Sequence, residues 1–308
     1  MEQVVIAIAT FKRPKMLTKA LESLKEILVP DEYQVSCLVS DNDPEKSAEE
    51  VFDQVKVEFP FPIEYFFEAK PGIVPNRNRL LDEATKLKAD YLAFFDDDET
   101  VDKNWLIELL KASKKFGAEA VWGRTIYSLP KNHPDWLSNR NFYGGDQPET
   151  GTNRRGASTN NVLIDMNFLN SHSLRFSMEF NDIGGSDSFL FREFWDKGGK
   201  VISSQEAITY EEVPESRATE DWILRRAYKN AHTEYKRARL RKGMLAAFAL
   251  VVFYGLWLSL NYSFAHFRYP FSTYDFKVFN RRRKAKVRGL LDALNGHTHK
   301  EYEVVHGG

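Results

Sequence analysis

Residues 93–106 read AFFDDDETVDKNWL, an apolar run that passes directly into four consecutive acids, Asp96, Asp97, Asp98 and Glu99. Adjacent like charges are unfavourable unless a cation, water or a helix dipole offsets them. Residues two apart in an extended segment point the same way, so Asp96 and Asp98 can face one cation while Asp97 points away. Mg²⁺ and Mn²⁺ commonly take one or two carboxylates together with substrate phosphates. The stretch therefore predicts a metal–diphosphate site, with a turn and helix N-cap as the alternative.

The sequence before this acid stretch alternates short apolar runs with helical patterns. The apolar runs predict strands at 4–9, 34–40, 63–67 and 90–95, and the intervening patterns predict helices at 14–28, 44–59, after 71 and at 102–116. This alternation predicts an α/β fold with a mostly parallel sheet covered on both faces. Ligands of such sheets bind beyond the carboxyl ends of the strands. The polar segments 10–13, 41–43 and 96–99 all follow predicted strands and are therefore expected to meet at one site.

The overall composition is that of an ordinary globular protein. Of the 308 residues, 43% are hydrophobic and 28% are charged. The single cysteine, Cys37, excludes a disulfide framework or a cysteine-based zinc site and is expected to be buried. No basic region precedes the first apolar run, so we expect a first strand rather than a signal peptide, and a cytoplasmic protein.

The C-terminal third differs from the rest of the chain in charge and hydropathy. Residues 217–288 hold seventeen Lys or Arg against four Asp or Glu, a charge of +13, so the remaining residues sum to −14. Residues 244–265 are 22 in a row without a charge, a length that could cross a bilayer as a helix. Basic residues on both sides, including RRRKAK at 281–286, fit a single crossing poorly. We expect helices that lie in the membrane interface on anionic lipids, with core helices as the alternative.

Three further residues at predicted element ends are candidates for ligand binding. Asp41 follows the second strand and can accept a hydrogen bond from a nucleotide base, or can simply close an Asx-type turn. Arg77 opens a helix within NRNR and can pair with phosphates through its planar guanidinium, with a solvated arginine as the alternative. Arg13, in TFKRP, is a weaker case of the same kind.

The chain resembles the family 2 glycosyltransferases of the GT-A fold through the order of VVIAIATFKRP, LVSDNDP, PGIVPNRNRLLDEA and YLAFFDDDETVDKNWL. In particular it is similar to bacterial exopolysaccharide transferases of succinoglycan-assembly type. The similarity covers nearly the whole chain and is strongest over residues 1–120. It implies that Thr10 and Arg13 lie at the first nucleotide loop, that Asp41 contacts the base and that Arg77 lies near the nucleotide.

The same resemblance implies a metal site and a catalytic base. Asp96 and Asp98 match the DxD pair that holds Mn²⁺ or Mg²⁺ with the donor diphosphate, and Asp97 lies between them in the donor-binding segment. The family's base is an Asp after Gly-Gly and usually Glu. In GGSDSFLFREF this is Asp187, with Ser186 in place of the usual Glu. The implied reaction is a single displacement with inversion, in which Asp187 takes the proton of the acceptor hydroxyl and the metal stabilises the leaving diphosphate.

The segment EEVPESRATEDW, from 211 to 222, also resembles the C-terminal part of that subfamily. Arg217 and Trp222 are therefore candidates to contact donor or acceptor. Glu211 or Glu212 is a candidate further metal ligand where relatives often have His, with surface salt bridges as the alternative.

The resemblance implies a catalytic domain at 1–215, with a nucleotide-sugar half at 1–120 and an acceptor half at 121–215, followed by a basic, apolar helical region at 216–308. The implied partners are a nucleotide sugar, with UDP the family's commonest carrier, and a saccharide on polyprenyl diphosphate. A peripheral or monotopic position on the cytoplasmic face of the bacterial inner membrane would hold the acidic cleft beside that lipid. The polar stretch 144–156 is predicted to be an acceptor lid.

Two other functions compete with glycosyl transfer. Clustered aspartates on an α/β sheet also serve metal-dependent phosphohydrolases and nucleases, which release product without an acceptor. A basic region can also bind nucleic acid. The aromatic residues lie within the uncharged block rather than between the basic ones, so we expect no nucleic-acid partner.

Overall fold

The computed structural model describes residues 1–138, 142–143, 148–268 and 274–297, with side chains throughout except at 258–268 and 274–276. The strands are β1 (Glu2–Thr10), β2 (Tyr33–Asp41), β3 (Ile63–Phe67), β4 (Tyr91–Phe95), β5 (Glu99–Val101), β6 (Ala120–Ser128), β7 (Asn153–Arg154), β8 (Asn161–Asp165) and β9 (Val201–Glu212). The helices are α1 (Pro14–Leu24), α2 (Glu49–Val55), α3 (Ile73–Lys86), α4 (Trp105–Phe116), α5 (Asp135–Ser138), α6 (Met166–Ser171), α7 (Ser186–Asp196), α8 (Glu220–Lys242), α9 (Met244–Arg268) and α10 (Tyr274–Leu294). The strands form a single nine-stranded sheet.

The first half of the chain builds the parallel part of this sheet, in the order β3-β2-β1-β4. β1 pairs with β2 from Glu2 opposite Tyr33 to Thr10 opposite Asp41, and with β4 on its other side. Its near-continuous apolar sequence is typical of a strand covered on both faces. The predicted α/β alternation is therefore confirmed, although α1 and α2 are shorter than the patterns suggested.

The second half of the sheet is mixed. β8 runs antiparallel to both β4 and β6, whereas β6 and β9 are parallel. β5 and β7 are both antiparallel to β9. The parallel arrangement predicted from the sequence thus holds for β1 to β4 and gives way to a mixed one beyond β4. The reason is that an apolar run identifies a strand without fixing its direction, which depends on the path of the connection before it.

Two apolar layers hold the sheet between helices. Alternate residues of β1 face opposite layers, with Ile6 in the layer that includes α1 and α4, and Val5 in the layer that includes α3 and α7. Trp105 is fully buried at the start of α4, and its indole Nε1 donates a hydrogen bond to Asn161 Oδ1 at 2.8 Å. Because the strands are packed on both faces, the loops at their carboxyl ends start from fixed positions.

The last three helices pack on one another. Gly289 in α10 approaches α8 so closely that an added Cβ would lie 2.4 Å from the carbonyl oxygen of Tyr228. Tyr235, Val251 and Leu290 join the three helices in one small buried cluster. Within the described residues, no helix is long and apolar enough to cross a membrane. The domain division predicted from the sequence stays a prediction.

Candidate active site

The loops after β1, β2 and β4 meet at one edge of the sheet, as the strand pattern predicted. Thr10 lies opposite Asp41 in the paired ends of β1 and β2. The Thr10 hydroxyl donates a hydrogen bond to Asp97 Oδ2 at 2.7 Å. The residues implied for the first nucleotide loop and for the acid stretch are therefore in direct contact, 87 positions apart in sequence.

Arg13 binds the acid stretch from the start of α1. Its Nη1 lies 2.9 Å from Asp97 Oδ1 and 3.0 Å from Asp98 Oδ2. Asp97 is only 4% exposed and points into the protein, whereas the side chain of Asp96 is 41% exposed. Strand β4 ends at Phe95 and the acids form a turn, with Glu99 N donating to Asp96 O. The two-residue alternation assumed for Asp96 and Asp98 therefore does not extend past the strand.

A second arginine reaches the acid stretch from the segment before α8. Arg217 Nη2 lies 3.4 Å from Asp98 Oδ2, and Arg217 Nη1 lies 2.9 Å from Glu211 Oε1. Glu212 points elsewhere and forms an exposed ion pair with Lys19. Of the two glutamates considered as metal ligands, only Glu211 therefore faces the acid stretch.

Glu99, the last acid of the stretch, is buried, and its contacts were not predicted from the sequence. It lies directly opposite Glu211 in the β5–β9 pairing and accepts a hydrogen bond from Asn160 Nδ2 at 3.0 Å. Burial raises the pKa of Glu99 well above its usual value, and raises the pKa of Glu211 to about 7. The site thus concentrates more carboxylate than its arginines can balance.

Arg77 connects the acid stretch to the start of α7. Its Nη2 lies 3.7 Å from Asp96 Oδ1, and its Nη1 lies 3.4 Å from Ser186 Oγ. The side chain also packs over the ring of Phe176. Ser186, which departs from the resembled motif, is therefore used here to hold Arg77.

Asp187 follows in the first turn of α7. Its Oδ2 accepts a hydrogen bond from Ser158 Oγ at 2.9 Å, a contact that no sequence pattern indicated. Partial desolvation within the acid stretch is the main cause that raises the pKa of Asp96 to about 6, and the charges of Asp98 and Asp187 raise it further. Asp187 therefore lies close enough to the acid stretch for their charges to interact.

Asp41 is fully buried beneath this edge of the sheet. Its Oδ1 accepts a hydrogen bond from Asp43 N at 2.8 Å, and its Oδ2 accepts from Ala48 N and from Tyr65 Oη, each at 3.1 Å. The Asx-type turn considered in the sequence is thus present. Contact of Asp41 with a nucleotide base stays a prediction.

Trp222 lies beside the acid stretch rather than in it. Its ring stacks on Tyr143 with centroids 5.6 Å apart, and Tyr143 Oη donates to Arg217 O at 2.8 Å. Residues 144–147 of the predicted lid lie outside the described residues, and β7 in its later part pairs with β9. The lid stays a prediction.

The acid stretch suits a divalent cation that is shared with a bound phosphate. In the ranges that the structure describes, no three His, Cys, Asp or Glu side chains are grouped to hold a metal. Asp96 and Asp98 still provide hard oxygen donors, and Glu99 Oε2 is buried without a hydrogen-bond partner. These residues fit Mg²⁺ or Mn²⁺ completed by ligand oxygens rather than a closed protein cage.

Residues 5–175 match the family described as glycosyl transferase family 2. The chain is also 32% identical over 228 residues to the succinoglycan biosynthesis protein ExoM of Rhizobium meliloti (strain 1021), over 74% of this chain and 72% of that protein. The chain belongs to glycosyl transferase family 2. This glycosyltransferase resembles an exopolysaccharide member of the family, and the phosphohydrolase and nucleic-acid interpretations are set aside.

Solved structures share the fold of this family 2 glycosyltransferase. The mannosyltransferase PcManGT from Pyrobaculum calidifontis, solved with GDP-Man and Mn²⁺, matches 94% of this chain and 86% of its own at a TM-score of 0.62 and 14% identity. S. aureus TarS 1–349, solved with UDP-GlcNAc, matches all of this chain and 95% of its own at a TM-score of 0.53 and 14% identity. At these identities the likeness shows the fold alone, and it confirms the predicted GT-A arrangement.

The loop that leads to Asp187 is held by α8. Thr233 Oγ1 donates to the carbonyl oxygens of Ile183 and Gly184 at 3.2 and 3.3 Å. Gly185 has φ +84°, and an added Cβ would lie 2.1 Å from Thr233 Cγ2. A residue with a side chain therefore cannot take this place unless the loop or α8 moves.

We expect Gly185→Ala to lower transferase activity at least tenfold and to lower the free energy of unfolding by about 2 kcal/mol or more, because the left-handed φ and the steric overlap both oppose it. The matched control is Gly198→Ala, which has φ +91° but no atom within 4 Å of the added Cβ. Gly198→Ala is expected to lower the free energy of unfolding by about 1 kcal/mol and to retain transferase activity. Denaturant unfolding and a transferase assay distinguish them, and equal effects would contradict the role given to Thr233.

Proposed function

We propose that this glycosyltransferase moves a sugar from a nucleotide sugar to a hydroxyl of a membrane-bound saccharide, with inversion at the anomeric carbon. A UDP-sugar is the proposed donor, and a saccharide on polyprenyl diphosphate is the proposed acceptor. The relatives support a nucleotide-sugar donor, since PcManGT was solved with GDP-Man and Mn²⁺ and TarS with UDP-GlcNAc. ExoM, which is named for succinoglycan biosynthesis, supports a saccharide product.

The observation that carries the proposal is the position of Arg77 between the acid stretch and the start of α7. It contacts Asp96 on one side and Ser186 on the other, next to Asp187. A donor diphosphate at Asp96 would therefore lie beside a guanidinium, which binds phosphate oxygens in a planar, bidentate manner. Asp187, which follows Ser186, would then lie near the anomeric carbon of that donor.

Asp187 is the proposed general base. Ser158 Oγ donates to its Oδ2, and Ser188 N donates to its Oδ1 at 2.6 Å, so the carboxylate is held in one orientation. A carboxylate held in this way can take the proton from an acceptor hydroxyl as the oxygen attacks the sugar. Arg13 and Arg217 hold Asp98 and the turn that carries Asp96.

Asp96 and Asp98 are the proposed ligands of Mn²⁺ or Mg²⁺. Together with the oxygens of the donor diphosphate, these two carboxylates would hold a divalent cation, which would supply positive charge to the leaving group.

We expect Asp187→Asn to lower the transfer rate by about 10²- to 10⁴-fold while the affinity for UDP with Mn²⁺ changes less than twofold, since only the proton acceptor is lost. Asp182→Asn, an exposed acid just before the same helix, is the matched control and is expected to transfer at the normal rate. Calorimetry with UDP and a radiolabelled transfer assay measure the two quantities. Near-normal transfer by Asp187→Asn would rule out the assignment.

We expect UDP to strengthen Mn²⁺ binding by at least about tenfold, because the protein offers two carboxylates and the nucleotide supplies the remaining oxygens. Asp96→Asn is expected to abolish this gain, and Glu212→Gln, which loses only the surface pair with Lys19, is expected to keep it. Calorimetric titration of Mn²⁺ with and without UDP measures this gain in Mn²⁺ affinity. Equally tight Mn²⁺ binding in the absence of nucleotide would contradict the shared site.

α9 has an exposed apolar face, which supports a place at the membrane surface. Residues spaced three or four apart turn outward on this helix, namely Leu245, Phe248, Val252 and Leu256, with Met244 and Phe253 beside them. In sequence, α9 lies between two helices rich in basic residues, α8 and α10. We propose that the face lies in the interface of the cytoplasmic leaflet, on anionic lipids, in a peripheral or monotopic position.

We expect the double variant Leu245→Glu with Phe248→Glu to bind phosphatidylglycerol vesicles at least about tenfold more weakly. The reason is that each apolar side chain contributes about 1.5–3 kcal/mol when it is buried in the membrane interface. Val57→Glu is the control because Val57 is 80% exposed on another part of the surface, compared with 86% for Leu245. Vesicle flotation measures binding. Equal flotation of all three proteins would exclude the apolar face of α9 as the contact.

A further inference from the structure

Two arginines of the C-terminal helices lie over one aromatic cluster beside the acid stretch. Arg226 in α8 places its guanidinium 4.9 Å from the ring centre of Trp222. Arg282 in α10 places its guanidinium 5.7 Å from the ring centre of Phe142. Trp222 stacks on Tyr143, and all three aromatic residues belong to the same apolar cluster.

Neither arginine of this pair has an ion-pair partner among the described residues, although the positive charge of Arg226 opposes the rise in the pKa of Glu211. Among the described residues, no carboxylate lies within 4.0 Å of Arg226 or Arg282, whereas the neighbouring Arg281 pairs with Glu220 and Lys286 pairs with Glu234. Burial lowers the pKa of Arg282, and the positive charge of Arg226 lowers it further. Two guanidiniums held over aromatic rings, each without an ion-pair partner among the described residues, can bind an anion through charge and through their planar donor geometry.

The position of the pair indicates which anion it would bind. Tyr143, at the centre of the aromatic cluster, donates a hydrogen bond to the carbonyl of Arg217, whose guanidinium contacts Asp98. On the other side, α10 packs against α9, which bears the exposed apolar face. The aromatic cluster under the arginine pair therefore contacts the segment that reaches the acid stretch, and α10, which carries Arg282, also packs against α9.

We propose that Arg226 and Arg282 bind the diphosphate of the membrane-bound acceptor, which assigns this group a place separate from the donor diphosphate. The assignment rests on the proposed function. The lipid chain would continue toward the apolar face of α9, and the first sugar would lie on the ring of Trp222 or Tyr143. Two guanidiniums match the charge of a diphosphate and bind it bidentately.

The location also distinguishes this group from lipid headgroups in general. Arg226 and Arg282 each lie over an aromatic ring, whereas Arg225, next to Arg226 on α8, makes no ring contact among the described residues. A general attraction to an anionic surface needs exposed charges that act alike. A bound diphosphate instead requires these two side chains in particular.

The test is the binding of farnesyl diphosphate, a short-chain isoprenyl diphosphate, to the full chain in detergent with UDP and Mg²⁺ at saturation, so that the donor site is filled. We expect Arg226→Gln and Arg282→Gln each to weaken this binding by about tenfold or more. Arg225→Gln is the matched control and is expected to bind normally. Inorganic pyrophosphate should likewise bind more weakly to Arg226→Gln and Arg282→Gln than to the wild type and Arg225→Gln. Farnesol, which has no diphosphate, should bind all four proteins with the same affinity.

The outcomes separate the possible sources of phosphate. Unchanged binding of farnesyl diphosphate to both variants would overturn the proposal. It would also be overturned if both variants lost binding to phosphatidylglycerol vesicles as strongly as they lost binding to farnesyl diphosphate. If Arg282→Gln does not fold, Arg226→Gln decides alone, because its side chain is exposed. Failure of the wild type to bind UDP would overturn the proposed function instead. In that case, the difference in farnesyl diphosphate binding between the wild type and the arginine variants would still test the role of the arginine pair.

Discussion

The site depends on the contact of Arg13 with Asp97 and Asp98. Burial raises the pKa of Asp97 to about 7, so these carboxylates are costly to keep charged without a cation. Burial alone would lower the pKa of Arg13, but the two aspartates raise it on balance, so the guanidinium stays charged. The contact fastens the loop after β1 to the turn after β4. It also leaves Asp96 as the partly exposed carboxylate of the turn.

The remaining arginines divide the acid charge between them. Arg77 contacts Asp96 from α3, and Arg217 contacts Asp98 and Glu211 from the segment before α8. Each cation comes from a different part of the chain, so the site is complete only when the whole catalytic fold has formed. The arrangement keeps more acid than base in a buried place, which is unfavourable for stability and suits a site that receives a cation.

The C-terminal helices combine two roles that the sequence presented as alternatives. α8 packs on the catalytic part, where Thr233 holds the loop before Asp187. α9 packs on α8 with one face and exposes apolar side chains with the other. α8 therefore contacts both the loop before Asp187 and the helix that carries the exposed apolar face.

The sequence by itself determined the α/β alternation, the parallel direction of β1 to β4 and the meeting of Thr10, Arg13 and the acid stretch. These follow from local hydrophobic periodicity and from the polarity of parallel strands. It did not determine the antiparallel direction of β8, the turn at 96–98, or the pairing of Glu99 with Glu211. Nor did it reveal that Ser158 orients Asp187, or that Arg226 and Arg282 share one aromatic cluster. These features join residues that are distant in sequence, and only the packed structure decides such contacts.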